Sequence, residues 1–228
     1  MTAMSGFEEK YSRMLASLHV SPEMNVLVRT QGEIDETYGN SAEIFEKIAA
    51  WLGISLDPSL QRCLIRFNEV AAHWHIDQSP TELTGEFNLP FLLVALAHPS
   101  PHLGWDGMPE TERQLVSEFK VIDSTPDSGV GHLTSLRIQE CVTIPEVWFL
   151  DSTRGTYKLD VCYCQYMEAL LLTKGTYGWQ YLFADVSLGA TEFEAVENSM
   201  KQMLRLFPSL FPDFDYEPLR VRLAERLR

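Results

Sequence analysis

Residues 73–78 read HWHIDQ, the one place in this chain where residue types and spacing suggest catalysis. His73, His75 and Asp77 recur at every second position, and two imidazoles with a carboxylate are groups that hold zinc and activate a bound water. The competing assignment sends Trp74 and Ile76 into the core and leaves His73, His75 and Asp77 facing water. The later histidines, His98, His102 and His132, sit beside prolines and glycines without a matching ligand pattern. A second kind of chemistry is recognition. Trp105-Asp106, in a loop held by Pro101, Gly104 and Gly107, and the arm from Tyr177 through Trp179 to Asp185 each set rings beside carboxylates. Rings supply a desolvated anchor for a protein partner and acids steer and pair with it, which makes Trp105, Asp106, Tyr177, Trp179 and Asp185 the candidate partner-binding residues.

The elements that must position these groups are led by the stretch from Glu146 to Asp185. EVWFLDS is a short apolar run that ends as a strand does, Arg154-Gly155 reads as a turn, and YKLD is a second extended piece. Asp160 is placed to cap a helix in which, from Val161 to Leu172, only Gln165 and Glu168 are clearly polar. Those two lie three apart on one narrow stripe, so Tyr163, Tyr166, Met167, Leu170 and Leu171 are expected among the most buried residues. Lys174-Gly175 closes the helix, and Tyr177, Trp179, Tyr181 and Phe183 then alternate as if on one side of an extended arm.

Upstream, residues 7–20 have helical spacing, MNVLVRT alternates like a strand, and a helix runs from Ser41 to Gly53. Asp57-Pro58 opens a further helix to about Ala72, with Leu60, Leu64, Phe67 and Ala71 in register. Gly85-Glu86-Phe87 is extended, and Leu92 to Leu96 form a short helix that stops at His98-Pro99. QLVSEFKVIDS and LTSLRIQECVTI (residues 133–144) are read as paired strands around the turn TPDSGVGH. A helix from Thr191 is broken by Pro208 and Pro212, and PLRVRLAERLR forms a last short one. Consecutive short strands joined by tight turns make an antiparallel meander. The fold class is α+β: an antiparallel or mixed sheet, helices packed on it, and extra helices at both termini.

Bulk properties exclude several classes of function. With 45% hydrophobic residues the chain of 228 can bury a substantial core, and no apolar run approaches the roughly 20 residues needed to span a bilayer. The first fifteen residues lack the order of a signal peptide, so the cytoplasm is the expected address. Cys162 and Cys164 share a helix and Cys63 and Cys141 stand alone, so all four are read as small buried hydrophobes rather than disulfides. A net charge of −14 argues against direct contact with nucleic acid or an anionic membrane. From Glu217 to Arg228 four arginines face two glutamates, so residues 1–216 carry −16, which suits a basic protein partner.

Two family resemblances bear on these residues. H-x-H-x-D is similar to the start of the zinc motif of metallo-β-lactamase-fold hydrolases. Here Gln78 stands where that motif closes with histidine, and the run is expected to leave a helix where the motif leaves a strand. No catalytic metal is expected on these grounds. The order of elements resembles the SUKH superfamily, known for yeast glucan-synthesis regulators and bacterial immunity proteins. LDPSLQRCLIRF with Trp74 looks like its opening P-x-x-x-x-x-L helix and following aromatic, and EVWFLDSTRG like its last strand and turn. Tyr163 to Leu170 looks like its closing s-F-x-x-Y-L-x-x-L helix, with Tyr163 where phenylalanine is usual. The resemblance covers residues 55–173 of one domain spanning 1–228, with 1–54 and 174–228 as helical extensions. It implies a non-enzymatic immunity protein without cofactors that neutralises a cognate toxin domain, often a basic nuclease. A regulatory or scaffold protein of the same fold and a zinc-dependent hydrolase centred on HWHID are the alternatives.

Overall fold

The computed structural model describes residues 3–77, 82–100 and 108–228. Its helices are α1 (Gly6–Val20), α2 (Ser41–Leu52), α3 (Leu92–Ala97), α4 (Glu110–Ser117), α5 (Tyr163–Thr173), α6 (Glu194–Leu210) and α7 (Glu217–Arg226). Seven strands, β1 (Asn25–Gln31), β2 (Glu69–Ile76), β3 (Leu83–Pro90), β4 (Phe119–Ser124), β5 (His132–Arg137), β6 (Glu146–Asp151) and β7 (Gly155–Lys158), pair in sequence order. Every pairing is antiparallel, so the fold is α+β with a meander sheet.

Local chemistry explains most element ends. Ser5 and Glu8 form a reciprocal capping box at the start of α1, and Asn40 and Glu43 do the same for α2. The α2 cap is therefore Asn40, and Ser41 is the first residue of the helix. Gly53 ends α2 in the left-handed region, where a Cβ would be strained. Helix α5 buries the residues its pattern assigned: Tyr166 and Leu170 are 0% exposed, and Tyr163, Met167 and Leu171 are also core. Its N-cap is Cys162, whose N–H donates to the Gln165 side chain at 2.9 Å. Asp160 instead accepts from the Arg222 guanidinium of α7 at 2.8 Å, so the expected cap is an anchor for the C-terminal helix.

The expected helix over residues 57–72 is replaced by a 3-10 segment, Pro58–Cys63, followed by strand β2. Leu60, Leu64, Phe67 and Ala71 are buried as the helical register required, yet with a different backbone. What decides it is that Val70, Ala72, Trp74 and Ile76 face the core while β1 and β3 pair on either side. The expected strand from Gln114 begins as α4 and becomes β4 only at Phe119. The run 133–144 is β-paired only as far as Arg137, and the chain turns at Cys141 with φ of 62°. Pro208 lies inside α6 rather than ending it.

One hydrophobic cluster runs from Phe7 to Leu223, so the segments outside 55–173 are integral to it. A smaller cluster of Met108, Val116 and Phe119 packs with Trp148, which β-register puts on the opposite side of β6 from Val147 and Phe149. Two buried charges, Glu8 and Arg66, pair with each other. Glu8 accepts from Arg66 Nε at 2.8 Å and Nη2 at 2.7 Å, tying α1 to the approach of β2. Contrary to the reading of the cysteines as unpaired, Cys63 and Cys164 form a disulfide joining the 3-10 segment to α5, with Cα atoms 5.4 Å apart and a sequence separation of 101.

Replacing Leu170 with alanine is expected to destabilise the protein by about 2–5 kcal/mol in urea denaturation, because its site is closed on all sides. Reduction of the Cys63–Cys164 bridge, or Cys63→Ser, releases a long loop in the unfolded chain and is expected to cost about 2–5 kcal/mol. Melting curves with and without reductant check this; identical curves, with the oxidised state confirmed by mass, would contradict it.

Candidate functional site

The sheet is weakest between β3 and β4, where only Asn88 and Ser124 are paired. Side chains and an inserted segment satisfy the backbone groups that a ladder would have used. Asp123 accepts from the Asn88 N–H at 2.9 Å, and the two oxygens of Glu86 accept from the N–H groups of Asp127 and Ser128 at 2.6 and 2.9 Å. The chain leaving α5 then lies along β3: Glu86 N donates to Gly175 O at 2.8 Å and Tyr177 N to Thr84 O at 2.9 Å. Glycine is required at 175 because φ is 74° and a Cβ would stand 2.6 Å from Glu86 O. Gly85 is required for a neighbouring reason, since its Cβ would lie 2.2 Å from the Trp74 indole, whose N–H donates to Lys174 O at 2.7 Å.

At this seam lies a cavity of about 30 Å³ walled by His73, Glu86, His132, Thr176, Tyr177 and Gln180. Beside it opens a cleft of about 440 Å³ between the start of β3 and α6, lined by Glu82, Thr84, Tyr177, Glu194, Asn198 and Ser199 among others. Thr84 and Tyr177 belong to both walls. The Tyr177 ring stacks on His132 at 5.3 Å, and His132 meets the edge of Phe149 at 5.0 Å. Behind His132, Asp151 accepts from Thr153 N at 2.7 Å, Arg154 Nη1 at 2.9 Å and Tyr181 OH at 2.8 Å, and lies 3.3 Å from His132 Nε2. Burial alone would raise its pKa, but these donors outweigh it and hold the carboxyl well below the usual range. This knot closes the β6–β7 hairpin and wedges the imidazole.

The residues of HWHID are distributed rather than gathered. β2 is a strand, so the histidines share its outer face, His73 opposite Glu86 and His75 opposite Thr84. His73 joins the seam cavity. His75, Asp77 and Glu82 are the one group of three metal-capable ligands close together among the described residues. Asp77 faces Nε2 of that ring at 3.7 Å and Glu82 faces Nδ1 at 3.8 Å, with the Asn25 amide 3.0 Å from Nε2. One ligand atom from each of the three lies within 4.8 Å of the others, but both acids are exposed, and exposed acids commonly gather without an ion. Gln78 lies outside the described residues.

Of the partner-binding candidates, Trp105 and Asp106 lie outside the described residues. Trp179 is 1% exposed, packed against Tyr166 at 4.9 Å and Phe183 at 5.9 Å, and is a core residue. The expected extended arm is a 3-10 helix, Trp179–Phe183, in which every residue is buried. Alternation failed there because Gln180 and Leu182 are enclosed as well. Tyr177 is half-buried at the mouth of the seam, and Asp185 is exposed, 3.6 Å from Arg226. Sequence reasoning missed Glu86, Asp123 and Gln180. A glutamate inside the alternating run LTGEFNLP was the only available signal. Comparison of the chain with family models, with curated proteins and with solved structures finds no match.

Two titrating groups flank the seam. Burial pushes Asp123 up to about 7, against the hydrogen bond it accepts from Tyr166 at 2.6 Å. Burial pulls Lys174 down to about 7, beneath the rings of Phe211 and Phe214 at 4.2 and 4.3 Å. The folded state favours protonated Asp123, so that contribution is full below its ordinary 3.8 and is lost as pH rises through about 7. It favours neutral Lys174, so that contribution is present above 10.5 and lost as pH falls through about 7. Urea midpoints measured at fixed ionic strength are expected to fall toward neutrality from the acid side and rise beyond it. Asp123→Asn should flatten the first limb and Lys174→Met the second.

Proposed function

We propose that this chain is a non-enzymatic binding protein that neutralises a basic toxin domain, of the nuclease type, in the manner of an immunity protein. The observation that carries the reading is how charge is distributed. The net charge is −14, and much of the described basic complement is tied down internally. Arg66 is held by Glu8, Arg137 by Glu118 and Glu146, Arg154 by Asp151, and Arg222 by Asp160. Lys47 is spent on the carbonyls of Thr37 and Tyr38, and Lys174 is enclosed by rings. What remains facing solvent is strongly acidic, and a nuclease domain is basic because it holds phosphates. The SUKH-like order of elements supports the same reading as family analogy, and analogy of fold alone does not fix function.

The reading takes the cytoplasm as the compartment. No helix among the described residues is long and apolar enough to cross a membrane. In a reducing cytosol Cys63 and Cys164 are expected as adjacent thiols in the same packing. The partner surface on this reading includes Trp105, Asp106, Tyr177 and Asp185.

The test is direct binding of the purified chain to the basic toxin domain encoded beside it, at low and high salt, together with growth rescue of cells expressing that domain. Tight association that weakens with salt and restores growth is expected. Asp106→Lys with Asp185→Lys should slow association and flatten its salt dependence, since rim charges act on the on-rate. Absence of any complex, or stoichiometric zinc that is lost on changing His73 and His75, would overturn the reading.

A further inference from the structure

We propose that the seam cavity and its cleft together receive a lysine side chain of the basic partner, with the ammonium group lodged at the seam. The inference rests on the binding reading above and names the group that is gripped. Size is the first argument. A cavity of about 30 Å³ holds one water-sized group, and an ammonium is that size, whereas the planar guanidinium of arginine is not.

The second argument is an unused acceptor. Gln180 is 4% exposed and lines the cavity, and its side-chain oxygen Oε1 has no partner. Glu86, also in that wall, brings a carboxylate that already serves two N–H groups and has lone pairs remaining. An ammonium offers three donors and no acceptor, the complement of these groups.

The third argument is the approach. Glu82 and Glu194 stand in the lining of the cleft, and among the described residues no lysine or arginine does. These acids draw a cation in, and the Arg154 guanidinium, 3.5 Å from the Tyr177 hydroxyl, is itself held by Asp151. Tyr177, pinned on His132, presents a fixed ring along which the four-carbon stem can lie. The ring is held in place before any guest arrives, so its ordering adds little to the cost of binding.

The experiment uses the full chain and small probes, so it does not depend on any toxin. N-acetyl-lysine methylamide is titrated while backbone amide shifts are followed by NMR, with the arginine and norleucine analogues as comparisons. Saturable shifts centred on Thr84, Tyr177 and Gln180, seen with the lysine probe alone, are expected. Glu82→Gln with Glu194→Gln, both at the mouth of the cleft, should weaken that binding by roughly threefold to tenfold, the size of two exposed ion pairs. Gln180→Met should abolish saturation with the fold intact by circular dichroism. Equal or tighter binding of the arginine or norleucine probe, shifts confined to other surfaces, or no saturation with a cavity that holds water only would each overturn the proposal. A toxin domain that binds the Glu82→Gln, Glu194→Gln variant at unchanged affinity would overturn the site and leave the immunity reading standing. Lysine binding in the cleft with no toxin complex would support the site and remove that reading.

Discussion

The fold depends on how the seam between β3 and β4 is closed. All seven strands form ordinary ladders with a neighbour on at least one side, but β3 and β4 share one residue pair, so the meander is nearly two sheets. Buried backbone N–H groups left there without acceptors would each cost on the order of 1–3 kcal/mol. Carboxylates replace the missing carbonyls: Asp123 serves Asn88, and Glu86 serves Asp127 and Ser128. The segment after α5 supplies the rest by running beside β3. Helix α5 is fixed in turn, because its C-terminal Lys174 carbonyl is held by Trp74 and its Tyr166 hydroxyl by Asp123. One break in a ladder thus accounts for two glycines, two buried acids and the position of the central helix.

Polar groups inside this protein therefore do structural work, and their neighbours show how each is engaged. Asp151 and His132 are within 3.3 Å, but the carboxylate is saturated by the hairpin it closes and the ring is clamped by Tyr177 and Phe149. Lys174 lies at the end of α5, where a cation would favour the helix dipole, yet its ammonium turns inward to Leu171 O beneath three phenylalanines. Its backbone takes the left-handed conformation with φ of 51°, a place glycine usually fills. The cost of that geometry falls on a residue whose carbonyl and side chain are both engaged.

Legibility in the sequence followed burial asymmetry. Helix α5 could be read because two polar residues marked its only solvent stripe, and β6 because Val147 and Phe149 alternate against half-exposed neighbours. β2 could not be read with the same ease. Ala71 is buried on the outer face, so EVAAHWHI shows weak alternation and fits a helical register as well. The aromatic arm misled for a related reason: when both faces of a segment are enclosed, period two and tight helical turns bury the same rings. The pairing of Cys63 with Cys164 carried no local signal, because two cysteines 101 residues apart meet only when α5 and the 3-10 segment have docked.

Position along β2 separates the two histidines that first suggested chemistry. Spacing alone put His73 and His75 on one face, and the strand does so. What spacing could not supply is the third direction, in which the cross-strand partners are Glu86 for one and Thr84 for the other. His73 is drawn to the seam by the missing ladder, while His75 stands toward the open end of the hairpin between Asp77 and Glu82. A metal shared by both rings would need them to turn toward one point, whereas His75 lies between Asp77 and Glu82 with the Asn25 amide 3.0 Å from Nε2. The defect in the sheet sets the surroundings of His73, and the acids beyond the strand ends set those of His75.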